Sequence, residues 1–117
     1  MNQPATTTTA LELWQTEWCP ASQRVRQRLT ELGLTYTIHQ VPVRPENRTR
    51  LRELTGETSI PVLVADGQPV AGETAIVTHL DDHFPAPPDA HEQRDKAAMA
   101  KRKQLERECP QLTAATA

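Results

Sequence analysis

The sequence has no long apolar run, few aromatic side chains and little net charge, and each shortage removes a class of function. No stretch approaches the apolar length that a bilayer span requires, so no membrane partner is expected. The only aromatics are Trp14, Trp18, Tyr36 and Phe84, too few for a surface that stacks bases. A net charge of −2 supplies no field for nucleic acid or an anionic surface, and no nucleic-acid partner is expected. Two cysteines, Cys19 and Cys109, stand far apart and make no disulfide framework. Residues 1–10 lack the basic start and apolar stretch of a signal peptide, and a cytoplasmic, reducing location is expected. At 117 residues the chain holds one domain with a modest core.

What is present alternates between strand and helix signals. Residues 1–10 are threonine-rich and expected to be disordered. "LELWQ" (11–15) alternates Leu11 and Leu13 with polar neighbours and reads as a strand. From Pro20 the spacing turns helical, with Val25, Leu29 and Leu32 on one face and Gly33 placed to end the helix. Residues 34–41 read as a second strand, and residues 45–56 as a short Arg-rich helix from Pro45 to Gly56. Two further strands, 62–65 and 68–71, are joined by Asp66-Gly67, a hairpin signal. Pro69 makes the last an edge strand. A helix over 73–84 places Ile76, Leu80 and Phe84 on one face. Residues 11–85 thus form an α/β domain, a mixed four-stranded sheet with helices on both faces. Residues 86–117 form a Pro-rich link and a charged helix, solvated and either undocked or docked by Ala98, Met99 and Leu105.

Cys19 precedes the first helix, where unpaired backbone N–H groups and the positive end of the helix dipole favour thiolate over thiol. Pro20 follows it, and Ser22, one turn later, can donate a hydroxyl. Glu17 acts in the opposite sense, because a nearby carboxylate disfavours thiolate. His79 and His83 lie four apart on the last domain helix, with Asp82 between them. No third ligand accompanies them, so they read as surface histidines and no metal is expected.

Three stretches occur in an order that resembles one family. "WCPASQRVRQRLTELGLTYT" is similar to the Cys-Pro-x-x active-site helix of the glutaredoxins and the N-terminal domains of glutathione transferases, within the thioredoxin superfamily. "TSIPVLV" is similar to the family's cis-proline segment. "GETAIVTHLDDHFP" resembles its Glu-Ser-x-Ala-Ile helix, with one residue missing before Ala75-Ile76. The resemblance covers about residues 11–85 and implies a thioredoxin-like fold with a C-terminal helical extension. It implies that Cys19 is the nucleophile, with Pro20 and Ser22 completing the catalytic motif. Ser22 stands where dithiol relatives keep a resolving cysteine, so the implied activity is a monothiol one. Cys19 attacks a glutathione mixed disulfide, takes the glutathionyl group, and a second glutathione releases it. Glutathione is the implied co-substrate, and glutathionylated or disulfide-containing molecules are the implied substrates, with the chain acting as a monomer. The implied glutathione contacts are Trp18, Ile60, Pro61, Glu73 and Thr74, the last two through the start of their helix. In the family, Pro61 would be cis and would expose the backbone of Ile60. The lysine that many glutaredoxins carry before the cysteine is missing. Arg44, Arg48 or Arg52 replaces it, or those arginines form a solvated face.

Other readings remain open on the sequence. Cys109 is either a long-range resolver of Cys19 or, the commoner case for such a residue, incidental. The domain could also be a glutathione-transferase-like or arsenate-reductase-like enzyme, an iron–sulfur carrier, or a non-catalytic module that docks partners around Pro61.

Overall fold

Strand β1 (Leu11–Gln15) is covered on both faces, and the rest of the chain is arranged around it. In the computed structural model, which describes residues 9–108, Leu11 and Leu13 enter one core and Trp14 the opposite one. That split follows from the two-residue period of a strand. β1 pairs in parallel with β2 (Thr37–Gln40), Leu13 opposite Ile38. On its other side it pairs antiparallel with β3 (Val62–Ala65), Leu13 opposite Leu63. β4 (Gln68–Ala71) adds antiparallel to β3, giving the order β2-β1-β3-β4. All four residues of β3 are buried, as a strand enclosed on both faces requires. Asp66 and Gly67 both have positive φ, 49° and 84°, the geometry of the two-residue hairpin that their sequence signals.

Helix α1 (Pro20–Glu31) crosses between the parallel strands. It ends in two hydrogen bonds, Gly33 N–H to Thr30 O and Leu34 N–H to Leu29 O, each 3.0 Å. Gly33 has φ 69°, a conformation open to a residue without Cβ. Strand β2 is shorter than the alternation of residues 34–41 suggests. Leu34 and Tyr36 leave the ladder to pack on the core that α1 shares with the sheet. On the same face lies α3 (Glu73–His83), through Ile76 and Leu80.

The opposite face holds Trp14, Val41, Leu51, Val62 and Val64 beneath α2 (Thr49–Thr55). Here the continuous helix expected from Pro45 is broken into a 3-10 turn, Pro45–Asn47, and α2, with Arg48 between them. Arg48 is buried, not part of a solvated arginine face. Its guanidinium donates to Pro42 O and Thr58 O at 2.8 Å and to Val43 O at 2.9 Å. These carbonyls lie in irregular chain, and a buried polar group without a partner costs about 1–3 kcal/mol. Such a clamp favours the break.

Helix α4 (Ala90–Glu108) follows the Pro-rich link. Met99 and Leu105 do not dock it; both are nearly half exposed, at 47% and 46%, and Ala98 is exposed beside them. Ala90 is buried instead, and Arg94 donates to Glu31 of α1 at 3.0 Å. The Glu31 side chain is only 6% exposed and also accepts from Gln27 and Arg28, at 3.0 and 2.8 Å. A buried carboxylate needs such partners, and this need gives α4 its anchor. No helix among the described residues is long and apolar enough to cross a membrane.

Candidate functional site around Cys19

Three segments reach the same end of the sheet. The C-terminal end of β1 leads into Cys19, and the register Trp14 to Val62 to Ala71 sets the start of β3 and the end of β4 beside it. Cys19 is the N-cap of α1, with extended backbone at φ −76° and ψ 121°. Its carbonyl accepts the first helical bond, from Gln23 N–H at 3.0 Å, and its Sγ accepts from Ser22 N–H at 3.5 Å. The sulfur thus holds the place that a serine or aspartate oxygen takes in most capped helices. Pro20, exposed at the first helical position, has no N–H. The donors left to face the sulfur are Ala21 and Ser22.

Partial burial pushes the Cys19 thiol up, but the Ser22 hydroxyl, the Ser22 and Ala21 N–H groups and the Arg24 charge together hold it below the ordinary cysteine value. Ser22 is fully buried, and its Oγ has no hydrogen-bond partner of regular geometry. The two facts are compatible, because thiolate formation supplies the acceptor that the neutral site lacks. An orphaned buried donor of this kind is costly at rest and favours the ionised sulfur.

Glu17 is tied away from the thiol. Its carboxylate pairs with Arg26 at 3.2 Å, and Arg26 also donates to Gln15 Oε1, Thr16 O and Glu17 O. The charge acting on the sulfur comes from Arg24, on the opposite side. Trp18, beside Cys19, is 61% exposed.

The Ile60–Pro61 peptide is cis. Pro61 is buried and Ile60 half-buried. Pro61 O accepts from Gly72 N–H at 3.0 Å, which fastens the proline segment to the start of α3. There Glu73 accepts two hydrogen bonds from Arg24, Nε to Oε2 at 2.6 Å and Nη2 to Oε1 at 2.8 Å. Hydrogen bonding to Arg24 holds the Glu73 carboxyl below the usual glutamate range. Thr74 is exposed. Ile76 is the buried residue that fixes the helix against the sheet, and the third residue before it is Glu73. In the Glu-Ser-x-Ala-Ile pattern that position carries the serine. The shortened motif therefore places a carboxylate where the pattern has a hydroxyl, and Thr74 one step further round.

Cys19, Pro20 and Ser22 are thus in one turn, Arg24 links that turn to Glu73, and Gly72 links Glu73 to Pro61. Arg24 carries no sequence signal of this role beyond its place two residues after Ser22; its partner Glu73 is brought to it by the fold. His79 and His83 stack with ring centroids 4.1 Å apart, and His83 Nδ1 lies 2.9 Å from His79 O. Among the described residues no group of three or more His, Cys, Asp or Glu is placed to hold a metal.

A four-stranded mixed sheet, a helix capped by a lone thiol and a cis-proline beside it define a thioredoxin-type fold built around one cysteine. The profile of the family described as "Glutathione S-transferase, N-terminal domain" matches residues 18–83, and the chain belongs to that family. It is 32% identical over 78 residues to a probable glutathione S-transferase GSTU1 of Oryza sativa subsp. indica, covering 67% of this chain and 32% of the relative. It is 36% identical over 69 residues to glutathione S-transferase DHAR2 of Arabidopsis thaliana, covering 59% and 32%. The solved structure of rice GST1 in complex with glutathione superposes with a TM-score of 0.56 at 28% identity, over 78% of this chain and 44% of that one. The chain spans about a third of the length of the curated relatives it matches.

Proposed function

We propose that this chain is a glutathione-dependent thiol–disulfide oxidoreductase in which Cys19 is the nucleophile. The observation that carries this is the Cys19 Sγ at the N-cap of α1, facing the Ser22 N–H at 3.5 Å with its thiol held below the ordinary value. A thiolate at that point attacks one sulfur of a glutathione mixed disulfide. A bond forms between Cys19 and the glutathionyl sulfur, and the other sulfur leaves as thiolate. The Ile60 backbone beside cis-Pro61 and the exposed Trp18 indole flank the incoming peptide-like glutathione, and Arg24, whose charge reaches the Cys19 sulfur, is the cation offered to its carboxylates. This function belongs in a reducing compartment that holds a glutathione pool.

The test couples a small glutathione mixed disulfide and glutathione to glutathione reductase and follows NADPH loss. Turnover that disappears in Cys19→Ser supports the proposal; wild-type protein without turnover sinks it. A second reading, glutathione transfer to an electrophile, draws support from the family match. Conjugation of glutathione to an aryl chloride, without disulfide turnover, would put that reading first.

A further inference from the structure

We infer that Arg26 is the positioning residue for Cys19: it fastens the turn that carries the cysteine and holds the charge of Glu17 in check. This rests on Cys19 being the nucleophile, as proposed above. Cys109, the other cysteine, lies outside the described residues, and within them Cys19 is tuned by its own turn.

Little in the sequence presets that turn. It runs from Thr16 to Cys19 with Glu17 and Trp18 at its corners, and none of the four is glycine, proline, asparagine, aspartate or serine. Its closing bond, Cys19 N–H to Thr16 O, is long at 3.4 Å, against about 2.9–3.0 Å in most backbone pairs. The buried Thr16 hydroxyl has no partner that would brace it. Arg26, two turns into α1, supplies what is missing. Its Nη1 donates to the same Thr16 carbonyl at 3.4 Å, so the cysteine N–H and the guanidinium share one acceptor. Nη1 also donates to Gln15 Oε1, and Nη2 donates to Glu17 O at 3.5 Å. Three successive residues are thus held by one planar group, whose fork of N–H donors suits several acceptors at once.

The clamp is anchored in the sheet. Gln15 is fully buried. Its Nε2 donates to Gln40 Oε1 at 3.0 Å, and its carbonyl accepts from Val41 N–H at 3.1 Å. Arg26 therefore ties a turn of weak bonds to the paired ends of β1 and β2.

The same arrangement keeps a cation beside Glu17. A carboxylate as exposed as that of Glu17, at 74%, holds a flexible side chain only weakly. Arg26 does not depend on that pair. Its side chain is 15% exposed and its head is set by uncharged oxygens of Gln15, Thr16 and Glu17, so the Glu17 carboxylate, at 3.2 Å, meets a charge already in position. The other titratable groups facing this corner are Arg24 of α1, Glu73 of α3 bonded to it, and Tyr36 after α1. Burial pushes the Tyr36 phenol up, so it is neutral where a thiol titrates. Glu17 is then the unfavourable charge whose weight on the thiolate is set by Arg26.

The experiment follows alkylation of Cys19 by uncharged iodoacetamide against pH, read at the Cys19 peptide by mass, beside the disulfide turnover assay. Arg26→Met keeps the buried stem and removes the head. It is expected to move the alkylation midpoint to higher pH, to slow alkylation at neutral pH severalfold and to lower turnover. Adding Glu17→Gln is expected to bring the midpoint back while turnover stays low, because the Thr16 carbonyl is still unheld. Arg26→Lys, which keeps a cation but lacks the planar fork, is expected to keep the wild-type midpoint and to lose turnover severalfold. An arginine with a structural role alone would lower the melting temperature and leave the midpoint where it is. A wild-type midpoint in folded Arg26→Met, or a raised one that Glu17→Gln does not reverse, overturns the inference. If Arg26→Met does not fold, full turnover in Arg26→Lys overturns it. Wild-type protein without disulfide turnover sinks the oxidoreductase reading alone, since the alkylation midpoints still decide the role of Arg26.

Discussion

The two ends of α1 are built on opposite terms. At its start a sulfur faces two backbone N–H groups, and a fully buried serine hydroxyl has no regular partner. At its end the Glu31 carboxylate, against the unfavourable pole of the helix dipole, accepts from Gln27, Arg28 and Arg94. Arg28 goes on to pair with Asp81 of α3 at 2.7 Å. One end is left short of acceptors until a thiolate forms, and the other is saturated. Reactivity belongs to the first and architecture to the second, and substitutions at the two ends should separate these cleanly.

The largest effect is expected from Cys19→Ser. It removes disulfide turnover altogether yet leaves the melting temperature close to wild type, because serine is itself a preferred N-cap; a large fall in stability would count against this division. Next comes Glu31→Gln, expected to cost about 1–3 kcal/mol in urea unfolding as charge-assisted bonds are lost, with the reactivity of Cys19 unchanged. Burial raises the Glu31 carboxyl, but the bonds from Arg94, Gln27 and Arg28 outweigh it and hold it below the usual range. Its stabilisation is therefore fully present above the unfolded glutamate value of about 4.3. It is lost as pH falls through the lower folded value. Acid titration of Glu31→Gln should show a shallower loss of stability over that window. Glu73, lowered by Arg24, titrates in the same direction and keeps part of the slope.

Smaller effects are expected at the reactive end. Glu73→Ser frees Arg24 and restores the hydroxyl of the family pattern, and should lower the KM for glutathione roughly two- to fivefold with kcat held. A KM that rises would mean that Glu73 itself receives the ligand. Ser22→Ala is expected to be the mildest. Alkylation of Cys19 followed against pH should titrate higher than in wild type, while stability stays level or rises, since an unpaired buried hydroxyl is gone. A titration that does not move would remove Ser22 from the thiol's environment.

How much of this was legible in the sequence follows from the range of each interaction. Cys19-Pro20 at a helix start, Gly33 at its end and Asp66-Gly67 between strands are local signals, complete within a few residues, and the structure places all of them as read. The pairing of arginines was not legible. Arg24 finds Glu73 across 49 residues and Arg94 finds Glu31 across 63, and nothing in composition distinguishes either from its neighbours. Arg48 was hidden for a different reason: its acceptors are backbone carbonyls of an irregular loop, which carry no side-chain signature. Glu17 looked hostile to the thiol only because Arg26, on the next turns of α1, could not be aimed from sequence.

The Arg48 clamp differs in kind from the contacts of Arg24 and Arg94. Its three acceptors are neutral carbonyls, whereas Arg24 and Arg94 hold carboxylates. Added salt competes for paired charges at the surface and has far less hold on hydrogen bonds to carbonyls within the protein. Ionic strength thus becomes a selective dial. It loosens Glu73 from Arg24 at the approach to Cys19 while the loop that Arg48 fastens, from Pro42 to Thr58, stays where it is.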